Sequence, residues 1–373
     1  FSLDSVDISQ SNIIYLLDQE VNRVFEDGNS SRYKHAIAKV LTEDGIRQLA
    51  YQNVGYSPNR EKVEIIKCRV IKPDGTIVDG KEMGEYAASD VGSRMYYDYL
   101  VKQFSFPGLE KGGYIDFEYR VDDTHNNLYA DYFGDMFVIG NYDPTVQCDY
   151  VLITPTSRKF YFYQDKTEQK PVTDESSNNA TRTYIWKYRN LPYIEREPYM
   201  PSYSETLPYI KVSSFSKWDD VAKWYWSLIQ DQFTCPDDLK ELVQSLTKDK
   251  PTKMDKIKAL YDFTVTNVRY LGLEFGASGY KPHKAMDVFR SRYGDCKDKA
   301  TLLITMLKEI GIPADIVLIR TRDLGKVDYT VPSLGLFNHA IAHVPDVDGQ
   351  EVWLDGTAMY CAISEFPNGD QNR

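Results

Sequence analysis

The chain has 373 residues, of which 42% are hydrophobic and 27% charged, enough apolar material for two cores. A net charge of −11 excludes a basic nucleic-acid face and a polybasic patch for an anionic membrane. No run of about eighteen apolar residues occurs, so no segment reads as a membrane-spanning helix.

Residues 13–24 read as a helix. Short strands follow at 33–41, at 63–71 and, after the turn Lys72-Pro73-Asp74-Gly75, at 76–78. The tyrosine-containing stretches 79–85 and 90–98 read as solvated loops, with peptide binding as the rival reading. At 114–121, Ile115, Phe117, Tyr119 and Val121 alternate with Asp116, Glu118 and Arg120, which predicts one face on a core and one in water. Strands at 151–154, 160–163 and 184–189 complete a series that suggests an antiparallel β-sandwich, with 166–180 an exposed loop or hairpin tip. Tyrosine, present 29 times, favours the same class.

Pro192, Pro198, Pro201 and Pro208 interrupt regular structure and mark a domain boundary. The expected division is 1–205, β-rich, and 206–373, α+β. In the second part, Ser216 with Trp218 and Asp219-Asp220 reads as a capped helix start. Trp218, Trp224 and Trp226 read as a helix docking on the neighbouring domain, with a substrate cleft as the rival. Helices at 255–267 and 296–310 and strands at 314–320, 337–344 and 352–354 follow.

Five cysteines, Cys68, Cys148, Cys235, Cys296 and Cys361, stand far apart without a CxxC pair, and their odd number leaves at least one thiol free. Cys296 opens the best-specified helix. Asp295 is its expected cap, Asp298 completes a box-like start, Ala300, Leu303, Met306 and Leu307 form an apolar stripe, and Gly311 and Pro313 end it. A thiol attacks as thiolate, which the positive end of a helix dipole favours. First-turn N–H groups lack helical partners and suit an oxyanion. The competing reading is a buried structural cysteine. Lys297, Asp298 and Lys299 read mostly as helix surface, with one of them facing the cleft as the rival reading.

His339 lies on the strand Phe337-Asn338-His339. If the following hairpin centres near Val347, Asp355 stands opposite it, giving a thiol, a base and an orienting carboxylate. His343 lies too far from Asp355 in that register and reads as a solvated or outlying histidine. His35, His125 and His283 have no partner pattern. No spacing of ligands calls for a metal, and no cofactor is expected.

Three blocks, 292–303 (Arg-Tyr-Gly-Asp-Cys-Lys-Asp-Lys-Ala-Thr-Leu-Leu), Phe337-Asn338-His339 and Trp353-Leu354-Asp355, resemble the bacterial transglutaminase-like (papain-like) superfamily in residues and order. Val268-Arg269-Tyr270 and Gly279-Tyr280-Lys281-Pro282 fit its lead-in. Leu191-Pro192 to Glu197-Pro198 and 214–218 resemble the β-rich domain of unknown function that precedes this domain in Bacteroidetes-type exported proteins. The resemblance implies that Cys296, His339 and Asp355 are catalytic and that Tyr270 completes the oxyanion or substrate-binding site. It also implies a peptide or protein substrate, cell-wall peptide included, and export to the periplasm or cell surface. Phe1 in place of Met reads as a processed or trimmed chain, and longer relatives carry a further C-terminal β domain.

The leading expectation is thiol-dependent acyl transfer, with hydrolysis of a peptide or amide bond ahead of transglutaminase-type amine transfer. The rival from another class is a non-catalytic peptide- or glycan-binding protein on the same fold.

Overall fold

The computed structural model describes residues 6–125, 131–175 and 180–371. They form two compact units. The first comprises Phe1–Ala88, Asp98–Ser216 and Thr330–Ser333, and the second Ser89–Tyr97, Lys217–Tyr329 and Leu334–Arg373. The expected change of domain lay after residue 205; the main part of the second unit begins at Lys217.

In the first unit, the described residues build an eight-stranded sheet in the order Val172–Glu175, Thr181–Leu191, Thr145–Pro155, Ile13–Val24, Ser30–Val40, Tyr114–Asp123, Glu61–Ile71, Ile77–Asp79. It is antiparallel except where Ile13–Val24 runs parallel to Thr145–Pro155. The helix expected at 13–24 is therefore a strand. Its apolar run reads as helical because both faces are covered: Ile13 packs in one core and Ile14 in another. A strand buried on both faces loses the alternation that would betray it.

Two three-stranded sheets pack on this one. Tyr51–Tyr56, Leu100–Ser105 and Lys81–Ala87 supply Val54 and Phe104 to a core with Ile115, Phe117 and Val121. Gly134–Val138, Tyr209–Ser213 and Tyr161–Asp165 supply Phe137, Ile210 and Val212 to a core with Tyr150, Leu152 and Trp186. The stretch read as a loop at 79–85 is thus largely strand, and Val172–Glu175 is an edge strand within the polar 166–180 segment.

The face of Tyr114–Asp123 expected in water is also buried at its centre. Asp116 and Glu118 are 3% and 7% exposed. Asp116 accepts from His35 Nε2 at 2.8 Å and pairs with Arg69 Nη2 at 2.7 Å, while Lys67 pairs with Glu118. Ion pairing is what lets carboxylates sit there, and it gives His35 the partner its sequence context did not reveal.

The second unit holds the helices Trp218–Ile229, Asp237–Thr247, Lys253–Asn267, Ala285–Ser291 and Cys296–Glu309 and a sheet ordered Asp315–Ile319, His339–Val347, Gln350–Leu354. Cys296–Glu309 is its central element. Leu302, Leu303, Met306 and Leu307 are fully buried against Leu260, Ala342, Val344 and Leu354. The first helix starts one residue later than expected, with Lys217 rather than Ser216 at its N-cap and no side-chain cap bond. Asp219 and Asp220 in its first turn favour its dipole instead. Ring partners of its tryptophans lie in the same unit: Tyr329 and Phe337 for Trp218, Tyr280 for Trp224 and Phe233 for Trp226.

Candidate active site

The head of the Cys296–Glu309 helix is fixed by its own sequence. Asp295 Oδ1 accepts from the N–H groups of Lys297 (3.1 Å) and Asp298 (3.2 Å), and Asp298 Oδ2 accepts from the Asp295 N–H (3.1 Å), a complete capping box. This leaves the Cys296 N–H as the first-turn donor the cap does not take. The oxyanion donors expected from the whole first turn reduce to that one.

Lys297, Asp298 and Lys299 are not surface: they are 4%, 2% and 2% exposed. Each charge has a partner. Lys297 Nζ pairs with Asp295 and with Glu274 Oε1 at 3.1 Å. Asp298 Oδ1 accepts from the His283 N–H at 2.7 Å, and its carboxylate also meets the His283 ring at 3.2 Å. Lys299 Nζ donates to the Val268 carbonyl at 2.7 Å, and burial pushes it down to about 8. Burial raises the Asp295 carboxyl to about 6 against the pull of Lys297.

The next strand and hairpin bring His339 and Asp355 together, with His339 Nε2 at 3.3 Å from Asp355 Oδ2. They are not directly opposite. The hairpin turns between Val347 and Gln350, past the expected centre at Val347, and the ladder ends at Ala342–Leu354. Asp355 sits just past that end, where its Oδ1 accepts from the Thr357 N–H and hydroxyl, both at 2.8 Å. With Nε2 on the carboxylate, Nδ1 is the ring nitrogen available to Cys296. Burial pushes the His339 imidazole down, but its bonds to Asp355 and Cys296 outweigh that and lift it to about 11. Burial raises the Asp355 carboxyl, yet His339 and Thr357 hold it below the usual carboxylate range.

Residues 26–195 match the family model of a domain of unknown function, DUF3857, and residues 240–356 match that of the transglutaminase-like superfamily. Residues 240–356 form a transglutaminase-like domain. A crystal structure named as a "putative protease" from Parabacteroides distasonis has the same fold, with a TM-score of 0.75 at 19% identity over 92% of this chain and 67% of that one. One named as a "putative cysteine protease" from Cytophaga hutchinsonii aligns at a TM-score of 0.28 and 13% identity, over 61% of this chain and 79% of that one, too low to carry structural weight. No curated protein matches the chain.

A cleft of about 610 Å³ in the transglutaminase-like unit is lined by Cys296, His339, Tyr270, Tyr225 and Lys297, among others. Burial and the neighbouring Cys296, Asp295 and Glu274 push the Tyr270 hydroxyl far up, so it stays a donor. Three contributors go beyond the site residues named from the sequence, although peptide binding was the rival reading for one of them, the 90–98 stretch. Tyr225 is 7% exposed, and its hydroxyl has no hydrogen-bond partner among the described residues. Asp370 Oδ2 lies 3.7 Å from His339 Nε2, and burial raises its carboxyl to about 6. Residues 90–97, read as a loop, place Asp90, Ser93, Met95 and Tyr97 on the cleft wall, because Met95–Tyr97 pairs in parallel with Gly272–Glu274. The alternation of Met95 and Tyr97 was the one local signal for that strand.

His343 is not solvated. Its ring stacks on Trp353 at 4.1 Å between centroids, and Nε2 is 3.7 Å from Glu351. Among the described residues, two groups gather metal-ligating atoms within 4.8 Å of one another: His339, Asp355 and Asp370, and His35, Asp116 and Glu118. Arg69 and Lys67 already neutralise the second group, which leaves little surplus charge for a cation.

Proposed function

We propose that this protein is a thiol-dependent acyl-transfer enzyme whose Cys296, His339 and Asp355 act as a triad, with hydrolysis of a peptide or amide bond as its reaction. The observation that carries this is one imidazole held between a buried carboxylate and a cysteine at a capped helix head. A His339 imidazole lifted to about 11 is protonated at neutral pH, so it enters the reaction as the acid for the departing amine.

Cys296 Sγ attacks the amide carbonyl carbon and forms a C–S bond. The oxyanion develops beside the Cys296 N–H, with Tyr270 as a further donor. The tetrahedral intermediate collapses, the C–N bond breaks, and His339 passes its proton to the departing amine. His339, now neutral, takes a proton from water as the water oxygen attacks the thioester. The acid leaves, and Cys296 and the His339 imidazolium are restored. Asp355 fixes the ring and balances its charge throughout.

The test is a neutral thiol-directed probe on wild type and His339→Ala, followed by a peptide-library digest. Rapid, His339-dependent labelling of Cys296 and a covalent acyl-enzyme by mass are expected. Amine incorporation in place of hydrolysis would select transfer. Labelling of Cys296 no faster than of Cys235 or Cys68 would leave the non-catalytic binding reading. Export to the periplasm or cell surface belongs to the same proposal. It rests on the family resemblance, and cell fractionation tests it.

A further inference from the structure

The charge and aromatic lining of the cleft carry a statement about substrate class, and it rests on the thiol reading above. We infer that the acyl donor carries a cationic group, an alkylammonium or a guanidinium, close to the amide that Cys296 attacks.

Three carboxylates line the cleft, those of Asp90, Glu274 and Asp323, against a single ammonium, that of Lys297. The ammonium is spent. Lys297 is 5% exposed at its side chain and paired with both Asp295 and Glu274. Asp90 is held ionised by its hydrogen bonds from Ser93. Among the described residues, Asp323 accepts from a neutral hydroxyl, that of Thr321. The charge of the His339 ring is matched by Asp355 behind it, 3.3 Å from Nε2. The free cleft is therefore negative.

Its apolar wall has matching chemistry. Tyr97, Tyr270, Tyr280 and Phe337 present aromatic rings to the same space. Carboxylates at the rim of π faces attract ammonium and guanidinium groups, and they reject a carboxylate by repulsion and by desolvation. Tyr225 supplies an independent pointer. Its side chain is buried in this wall with a hydroxyl that has no partner among the described residues, and a hydroxyl oxygen is an acceptor for a cationic N–H. The free enzyme meets the acyl donor before any acceptor, so the lining of the free cleft selects the donor.

The experiment uses three methanethiosulfonates: one bearing trimethylammonium, one sulfonate and one a neutral methyl group. Modification of Cys296 is read by peptide mass, and each rate is normalised to that of the same reagent with a small free thiol. The cation-to-anion ratio at Cys296 should be about tenfold or more at low salt. It should exceed the ratio at Cys235 and Cys361 in the same chain, which controls for the overall negative charge. It should fall towards unity at about 1 M salt and drop in Asp90→Asn and in Asp323→Asn. A ratio at Cys296 no greater than at the other cysteines overturns the inference. Should either variant fail to fold, the salt dependence of wild type decides alone. Loss of His339 dependence with the neutral reagent defeats the thiol reading instead, while the charge ratio is still measured. With matched peptide amides, Lys- and Arg-bearing donors should give more acyl-enzyme than Glu-bearing ones, and the reverse order also overturns the inference.

Discussion

Replacing Asp355 with asparagine removes one negative charge while keeping an oxygen for the Thr357 N–H and hydroxyl. The carboxylate lies 3.3 Å from His339 Nε2. At an effective dielectric of ~20, a charge pair at that distance is worth about 5 kcal/mol, or between three and four units of pKa at about 1.4 kcal/mol each. Asp370, at 3.7 Å, takes up part of the loss. The His339 midpoint should therefore fall by about three units from about 11. An NMR titration of ¹⁵N-labelled imidazole reads this directly. Wild-type His339 should remain imidazolium through about pH 9, and the variant should titrate near about 8. The sign for stability follows. The folded wild type holds this proton more tightly than the unfolded chain does, so the contribution is complete below about 6.5, the ordinary histidine value. It is lost as pH rises from there through about 11. In Asp355→Asn the window should close near about 8. A wild-type midpoint within about one unit of 6.5 would refute the reasoning. So would a variant shift smaller than about one unit.

Gly294→Ala places a Cβ 2.6 Å from the Asp298 Cβ, so the capping box must deform; slower labelling of Cys296 and a lower Tm are expected. Asp295→Ala strips the cap, worth about 1–2 kcal/mol, and leaves Lys297 with Glu274 alone. Urea unfolding should show a total loss of about 3–5 kcal/mol, and a loss below about 1 kcal/mol would mean that the buried pair contributes nothing. Leu303→Ala opens a cavity in the second core and should cost about 2–5 kcal/mol by the same measurement.

What could be read in the sequence was what short-range chemistry writes there. Asp295 and Asp298 flank Cys296 within one turn, so the cap, the helix and the thiol at its head were visible together. The hairpin joining His339 to Asp355 was visible too, but its register was not, because the turn falls between Val347 and Gln350 rather than at Val347. Residues 13–24 misled because full burial erases alternation. The 90–97 wall and Asp370 join the site through contacts between residues distant in the chain, which no local pattern encodes.

Lys297, Asp298 and Lys299 are buried for a general reason that a sequence hides: charged residues are outside unless paired, and pairing is invisible in one dimension. The same fact bears on the chemistry. Asp295 serves twice, as acceptor for the first-turn N–H groups and as partner of Lys297, and Lys297 in turn reaches Glu274 on the cleft wall. The helix head is therefore bonded on one side into its own first turn and on the other into the lining of the cleft. A buried ion pair contributes little net stability against a well-packed apolar alternative. What it supplies here is geometry: the Cys296 sulphur and N–H cannot move relative to Glu274 without breaking a buried charge contact. Positional tolerance at a reacting centre is small, so the proposed nucleophile and the surface that would select its substrate are held by one set of bonds.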